Sequence, residues 1–372
     1  MRRFITAACA TTLGISLSTA FAVAGPASAA TTHHATPAGT TIVVSPGQSI
    51  QAAVNHARPG DTVLLKRGVY HQSVQIRTDG ITLRGSGNSR RGTVLMPSAT
   101  KPHSVCASAF GVTGVCVLAK KVNMKTGAVL QSVRNDTVTG MYVTGFAANG
   151  VFGYGTNGLT VTNVSAVSDG AYGISRFVST RTLFAGDTAA GNDEAGFYVG
   201  DSPDADTVVR DNVAVGNQFG IFVRHAREVT VFHNVAIKNC EGILVLDDGQ
   251  KGGAGNAAIL RNVAAANNKF CPKSADTPVS TQGGGILLLG ATHTLVAHNA
   301  VSGNAGAQFN SGGIVVLSAS KISHGSNPNH DTIAANHAFH NRPADLIWDG
   351  TGVGVHFAAN HCGASQPAGL CH

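Results

Sequence analysis

Three residues stand five places past successive glycines: Asp201 after Gly196, His225 after Gly220 and Asp247 after Gly242. If the chain repeats at that spacing, equivalent positions stack, and an acid, an imidazole and a second acid share one column. Around them lie Asp204 and Asp206 in "GDSPDAD", Arg224, Arg227 and Glu228 in "RHARE", and Asp248 and Lys251 in "DDGQK". Two chemistries fit this set. In proton removal beside a uronate carboxylate, a cation neutralises that carboxylate and a basic group takes the proton. Asp201, Asp204, Asp247 and Asp248 then offer oxygen ligands for Ca²⁺, and Arg224, His225 or Lys251 the base or the carboxylate clamp. In glycoside hydrolysis two carboxylates flank the bond. Asp201 and Asp247 lie two coils apart, roughly 9.6 Å at the strand spacing, at the edge of the inverting range of about 6.5–9.5 Å. A histidine between two carboxylates suits electrostatic stabilisation or acid catalysis more than proton abstraction, which leaves Arg224 or Lys251 as the better base. The competing reading is structural: Asp-rich loops make turns, and an alternating column of charges is a favourable ladder in itself.

The elements that must position this column repeat. A glycine followed by an apolar run recurs at Gly150, Gly173, Gly196, Gly220, Gly242, Gly285 and Gly313, first at intervals of 22 to 24 residues, then at 43 and 28. Before most of these anchors stand segments such as "DNVAVGN" and "HNVAIKN". Their first polar position gives the series Asn163, Asp187, Asn212, Asn234, Asn262, Asn299, Asn336 and Asn360. Their second gives Ser168, Asn192, Asn217, Asn239, Asn267, Asn304 and Asn341. A period near 23 with short β-branched runs predicts a solenoid of stacked parallel strands. The asparagines are expected to take left-handed corners and to bond one another along the axis. His233 and His298, with Asp211 and Arg261, precede ladder asparagines and read as a solvated corner, not a metal site. Outward positions Tyr198, Phe222, Leu244, Leu287 and Val315 are apolar, so the anchored sheet should be covered, with the inserts "GQKGGAGN", "NKFCPKSADTPVSTQGGG" and "SKISHGSNPNHD" as covers. The other reading of Tyr198 and Phe222 is that they stack on sugar rings.

Composition agrees. Of 372 residues 43% are hydrophobic, 12% are charged and 46 are glycine, which excludes a disordered polar chain and favours short strands with tight turns. Arg2 and Arg3 precede an apolar stretch that ends at "ASA" (Ala27–Ala29), the pattern of a secretory signal over 1–29, followed by a linker over 30–41 that holds His33 and His34. No later stretch is long and apolar enough for a membrane span. With Arg2 and Arg3 set aside, 24 basic residues face 19 acidic ones, near +5. That mild excess suits an acidic polysaccharide, and no basic run with interleaved aromatics points to nucleic acid. Cys9 leaves with the signal. The six remaining cysteines are expected to pair as neighbours: Cys106–Cys116, Cys240–Cys271 and Cys362–Cys371.

"SPGQSIQAAVNHARPGDTVLLKRGVYHQSVQI" places a short amphipathic helix, Ser49–Ala57, at the open end of the first coil. That segment, "GITLRG" at Gly80–Gly85 and the "GI" coils after it resemble the right-handed parallel β-helix proteins of the pectate-lyase-like superfamily. The resemblance implies an all-β, single-stranded right-handed parallel β-helix over 42–360 with an N-terminal capping helix, and a disulfide-closed tail over 361–372. It carries no catalytic residue across, because lyases, hydrolases, epimerases and non-enzymatic proteins share the scaffold. The reading is a secreted protein acting on an acidic extracellular polysaccharide by lyase or epimerase chemistry. Its alternatives are an inverting glycoside hydrolase or a non-catalytic carbohydrate-binding β-helix.

Overall fold

A computed structural model describes residues 39–371 apart from 275–276, and in it short parallel strands wind into three long sheets of 12, 11 and 11 strands. The signal segment, Cys9 and the His33–His34 pair lie outside the described residues. The strands that position the candidate site belong to one 11-stranded sheet: β1 (Ile174–Phe177), β2 (Ala195–Ser202), β3 (Phe219–Ala226), β4 (Glu241–Leu246), β5 (Gly284–Leu289) and β6 (Gly312–Leu317). Each pairs in parallel with the next, and Ile174, Phe197, Ile221, Ile243, Ile286 and Ile314 fall in one register. All six side chains are fully buried in the main core. The anchor glycines, one residue earlier, therefore open equivalent strands.

Helix α1 (Ile50–His56) closes the first coil. Ser49 caps it by accepting the Ala52 N–H, and Ile50 and Val54 enter the main core. Among the described residues, no helix is long and apolar enough to cross a membrane. The three expected disulfides form. The closing segment does more than hang from its disulfide: His361–Cys362 and Ser365–Gln366 each add a final strand to a sheet.

Two asparagine ladders run through the interior. In one, Asn212, Asn234, Asn262, Asn299 and Asn336 each donate both the backbone N–H and Nδ2 to Oδ1 of the next member, ending on Asn360. The other runs in the same way from Asn192 through Asn217, Asn239, Asn267 and Asn304 to Asn341. Each Nδ2 also reaches a backbone carbonyl of the preceding coil, as Asn217 reaches Ala189. The left-handed conformation expected of these asparagines falls one residue earlier instead, on Asp211, His233, Arg261 and His298, with φ of 57°, 56°, 54° and 57°. Those four are exposed. The ladder position needs a side chain turned inward, and the corner just before it needs the reversed backbone.

The ladders begin on acids, and Asn163 and Ser168 are not members. Both lie in the left-handed column, at φ 53° and 57°. The rung in the first case is Val164, whose N–H donates to Asp187 Oδ1 at 2.8 Å, and in the second Asp169, whose N–H donates to Asn192 Oδ1 at 3.0 Å. Oδ2 of Asp169 takes the place that Nδ2 holds in an asparagine: a methyl on Gly150 would stand 2.6 Å from it, as a methyl on Gly173 would from Asn192 Nδ2. Oδ2 of Asp169 and of Asp187 lacks a hydrogen-bond partner. Burial pushes the Asp169 carboxyl up to about 8, against the lowering effect of the backbone N–H groups it accepts, and it pushes Asp187 well above the carboxylate range. A protonated carboxyl reproduces the amide by donating from Oδ2.

Two outcomes are expected. The Asp169 carboxyl is protonated when folded and ionises near pH 4 when unfolded. Its contribution to stability is therefore full below about pH 4 and is lost as pH rises through about 8. Denaturant titrations between pH 5 and 9 should show Asp169→Asn flattening that decline and unfolding at higher denaturant than wild type at pH 9. Asn234→Leu strands the Asn212 donors and should cost at least about 2–3 kcal/mol in the same assay.

Candidate functional site

The corner where β2, β3 and β4 leave the sheet holds the charged cluster. Gly200, Arg224 and Leu246 are in register, so Asp201, His225 and Asp247 follow in one column. Asp201 and His225 take left-handed φ of 51° and 48°, and Gly290 one coil beyond Asp247 takes 66°. The strand stops at Arg224-His225 because the backbone reverses there. Asp247 does not share that conformation, and its Oδ1 accepts the Gly249 N–H at 2.9 Å in a local turn.

The column therefore closes on a different acid from the one its spacing selects. His225 Nδ1 lies 3.0 Å from Asp201 Oδ1, and His225 Nε2 abuts Oδ1 of Asp248, not a carboxylate of Asp247. The other Asp248 oxygen accepts from Arg224 Nε at 2.9 Å and Nη2 at 2.6 Å. Asp201, His225, Asp248 and Arg224 thus form one continuous chain of contacts. Both imidazole nitrogens face carboxylate oxygens.

The remaining candidates stand elsewhere. Asp204 is exposed in the turn after β2, and Lys251 is exposed in the loop after β4. The four carboxylates read as Ca²⁺ ligands are not gathered: Asp248 is bound by Arg224 and His225, and Asp247 is turned to Gly249. Among the described residues no group of three or more His, Cys, Asp or Glu side chains could hold a metal ion. The donor set does not fit the cation. Arg224 does not suit the role of base either. Burial works against its charge, but Asp248, Tyr198 and Tyr172 together hold the guanidinium above its ordinary range. It is a fixed cation, fit for a carboxylate clamp.

Further contacts lie beneath and around the cluster. Gly200 gives its space to the Tyr198 ring, whose Cε1 would stand 2.2 Å from a methyl there. Tyr198 and Phe222 are buried, so neither is open to stack on the sugar rings of a polymer, and Phe222, Leu244, Leu287 and Val315 continue a covered apolar face. The insert over 249–256 packs at the corner instead of over the sheet, with Gly252 against Pro203 and Gly249 against His324. Arg176, fully buried in the core, donates to the Ser202 hydroxyl, to the Ala205 carbonyl at 3.0 Å and to Thr207 Oγ1 at 2.7 Å. It pins the turn that carries Asp201. Desolvation lowers it to about 9, against the charges of Tyr198 and Asp201. Its signal is the one arginine in the anchored motifs, "GISR", at an inward position.

A family model described as a right handed beta helix region matches residues 119–264. The chain folds as a right-handed parallel β-helix. Its fold is shared by an alginate lyase from Paenibacillus sp. str. FPU-7, at 15% identity over 84% of this chain and 99% of that one, with a TM-score of 0.55. The A-module of a mannuronan C-5 epimerase from Azotobacter vinelandii shares it at 17% identity over 84% and 89%, with a TM-score of 0.55. A DFA-IIIase from Arthrobacter chlorophenolicus A6, in complex with GF2, shares it at 12% identity over 82% and 78%, with a TM-score of 0.58. At these identities the likeness is one of fold. No curated protein matches the chain in sequence.

The two neighbouring acids are separable by mutation. Asp248→Asn breaks a largely buried ion pair and should cost about 2–3 kcal/mol. Asp247→Asn keeps an acceptor for the Gly249 N–H and should cost under about 1 kcal/mol. Denaturant titration of both variants at pH 7 checks the order; the reverse order would place Asp247 in the cluster.

Proposed function

We propose that the protein is an exported carbohydrate-active enzyme that removes the proton beside a uronate carboxylate in an acidic polysaccharide, as a lyase or an epimerase. The observation that carries this reading is the exposure of the two ends of the charged chain. The Asp201 side chain is 40% exposed and that of Arg224 31%, whereas His225 and Asp248 are 2% and 11% exposed. Asp201 is then the accessible carboxylate that takes the proton. Arg224 is the cation that faces the substrate carboxylate and stabilises the charge that builds there. His225 and Asp248 hold the two ends at a fixed separation.

In the lyase form, the C5 proton passes to Asp201 and its electron pair forms the C4–C5 double bond. The C4–O bond breaks, and the leaving oxygen takes a proton from water. In the epimerase form, a proton returns to C5 on the opposite face. Support comes from structural neighbours whose names are alginate lyase and mannuronan epimerase, and from the chain's net positive charge, which suits a polyanion. Three disulfides and the apolar leader favour export.

A panel of acidic polysaccharides, scored for near-ultraviolet absorbance of unsaturated uronate, for reducing ends and for epimer content by NMR, tests the reading. Asp201→Asn should lower turnover at least about 100-fold with little change in the thermal midpoint. His225→Ala should lower turnover as much and also lower the midpoint, since its buried side chain bridges Asp201 and Asp248. Lys251→Ala should stay within about twofold of wild type, since its side chain lies outside the cluster. New reducing ends without absorbance would make the protein a hydrolase, and polymer retained without change would make it a binding module.

A further inference from the structure

The covered face of the sheet is not completely filled. A cavity of about 180 Å³ lies between β3, β4 and β5 and the segments above them. Its floor is apolar, built from Phe219, Phe222, Leu244 and Leu289, and its roof includes Val279, Phe309 and Ile322. Arg224 and Asp248 stand at its wall, so it adjoins the charged cluster.

Polar groups in this cavity lack partners. Glu241 occupies a register position filled by Phe219 and Gly284 in the adjoining coils, and it is 1% exposed. One carboxyl oxygen accepts from Asn310 Nδ2, while Oε2 has no partner. Asn310 Oδ1 and Thr281 Oγ1, both on the cavity lining, are also unpartnered. Burial pushes the Glu241 carboxyl up to about 8, so it carries its proton at neutral pH. A buried carboxyl with a free oxygen costs stability unless something bonds it. Glu241, Asn310 and Thr281 all line the cavity.

From the unpartnered Glu241, Asn310 and Thr281 atoms set in apolar walls, we infer that the cavity is a binding site for an uncharged, mainly apolar ligand. The ligand is about one ring in size and bears one hydroxyl or carbonyl group. The volume is close to that of a cavity of about 150 Å³ that accepts benzene. Aromatic and aliphatic walls take the ring, and the neutral Glu241 carboxyl offers a donor and an acceptor to its single polar group. A charged group is excluded from this end, because no free counter-charge faces it. Arg224 and Asp248 are shared with the polysaccharide chemistry proposed above, but Glu241, Asn310 and Thr281 take no part in it, and the ligand is uncharged.

Phenol is the probe, benzoate its charged counterpart, and binding is read by ligand-observed and protein-observed NMR on the full mature chain at pH 7. Wild type and Asp201→Asn should bind phenol at one site with the same affinity within about twofold, and Glu241→Gln, which keeps a neutral hydrogen-bonding group, should stay close to them. Glu241→Leu should weaken binding at least tenfold, and Val279→Trp, which fills the cavity from the roof, should abolish it, each with wild-type thermal unfolding. Equal binding of phenol by wild type and Val279→Trp, benzoate binding as tight as phenol, or no phenol binding by folded wild type would each overturn the inference. Because Asp201→Asn is expected to be inactive yet to bind phenol, loss of one reading leaves the other standing.

Discussion

Each amide of the ladder from Asn192 to Asn341 lies against a residue that has no side chain. A methyl on Gly173 would stand 2.6 Å from Nδ2 of Asn192, and one on Gly220 would stand 2.9 Å from Nδ2 of Asn239 and 2.4 Å from the Gly242 carbonyl. The asparagine and the glycine therefore require each other: the amide bonds the next coil only where the backbone of the anchored strand is bare. This contact recurs at the start of β1 to β6, and with it the register of the residues that follow. A polar group buried this deeply is stabilising only when all its bonds are made, and the ladder makes them. The position of Asp201 and His225, five residues downstream of their glycines, is a consequence of that register.

A fixed register has a chemical use. Groups in the same column of adjacent coils are held about 4.8 Å apart at the backbone, close enough for one imidazole to touch carboxylates from the coils on either side. No loop has to fold over to assemble them. Arg176 completes the support from inside, since its donors hold the Asp201–Thr207 turn from the core side. The rigid stack thus presents an exposed carboxylate and an exposed cation joined by a buried imidazole and a buried acid.

Much of this was legible from residue types and spacing. The anchors, the capping helix at Ser49, the covered face and the three cysteine pairs all rest on local patterns that the fold repeats. Two of the failures are errors of one residue. Asn163 and Ser168 match the asparagine motif by type, but Val164 and Asp169 occupy the rungs, because the first coils use acids or apolar residues where later coils use amides. Asp247 matches the column by count, but Asp248 reaches His225, because Asp247 closes an Asx turn and lacks the left-handed backbone of its two predecessors. Counting along a strand holds only while the chain stays in the sheet. Glu241 and Arg176 were missed because a lone ionisable residue is outweighed by the apolar pattern of the strands around it.

The central claim is that this corner takes a proton from the carbon beside a carboxylate. It is tested most directly by turnover of a uronate polymer in D₂O with NMR observation of the C5 hydrogen. Wild type should remove that hydrogen from every residue that reacts, leaving an unsaturated C5 in the lyase form or a C5 deuteron in the epimerase form, and Asp201→Asn should do neither. Cleavage by wild type with the C5 hydrogen retained in the products would contradict the claim.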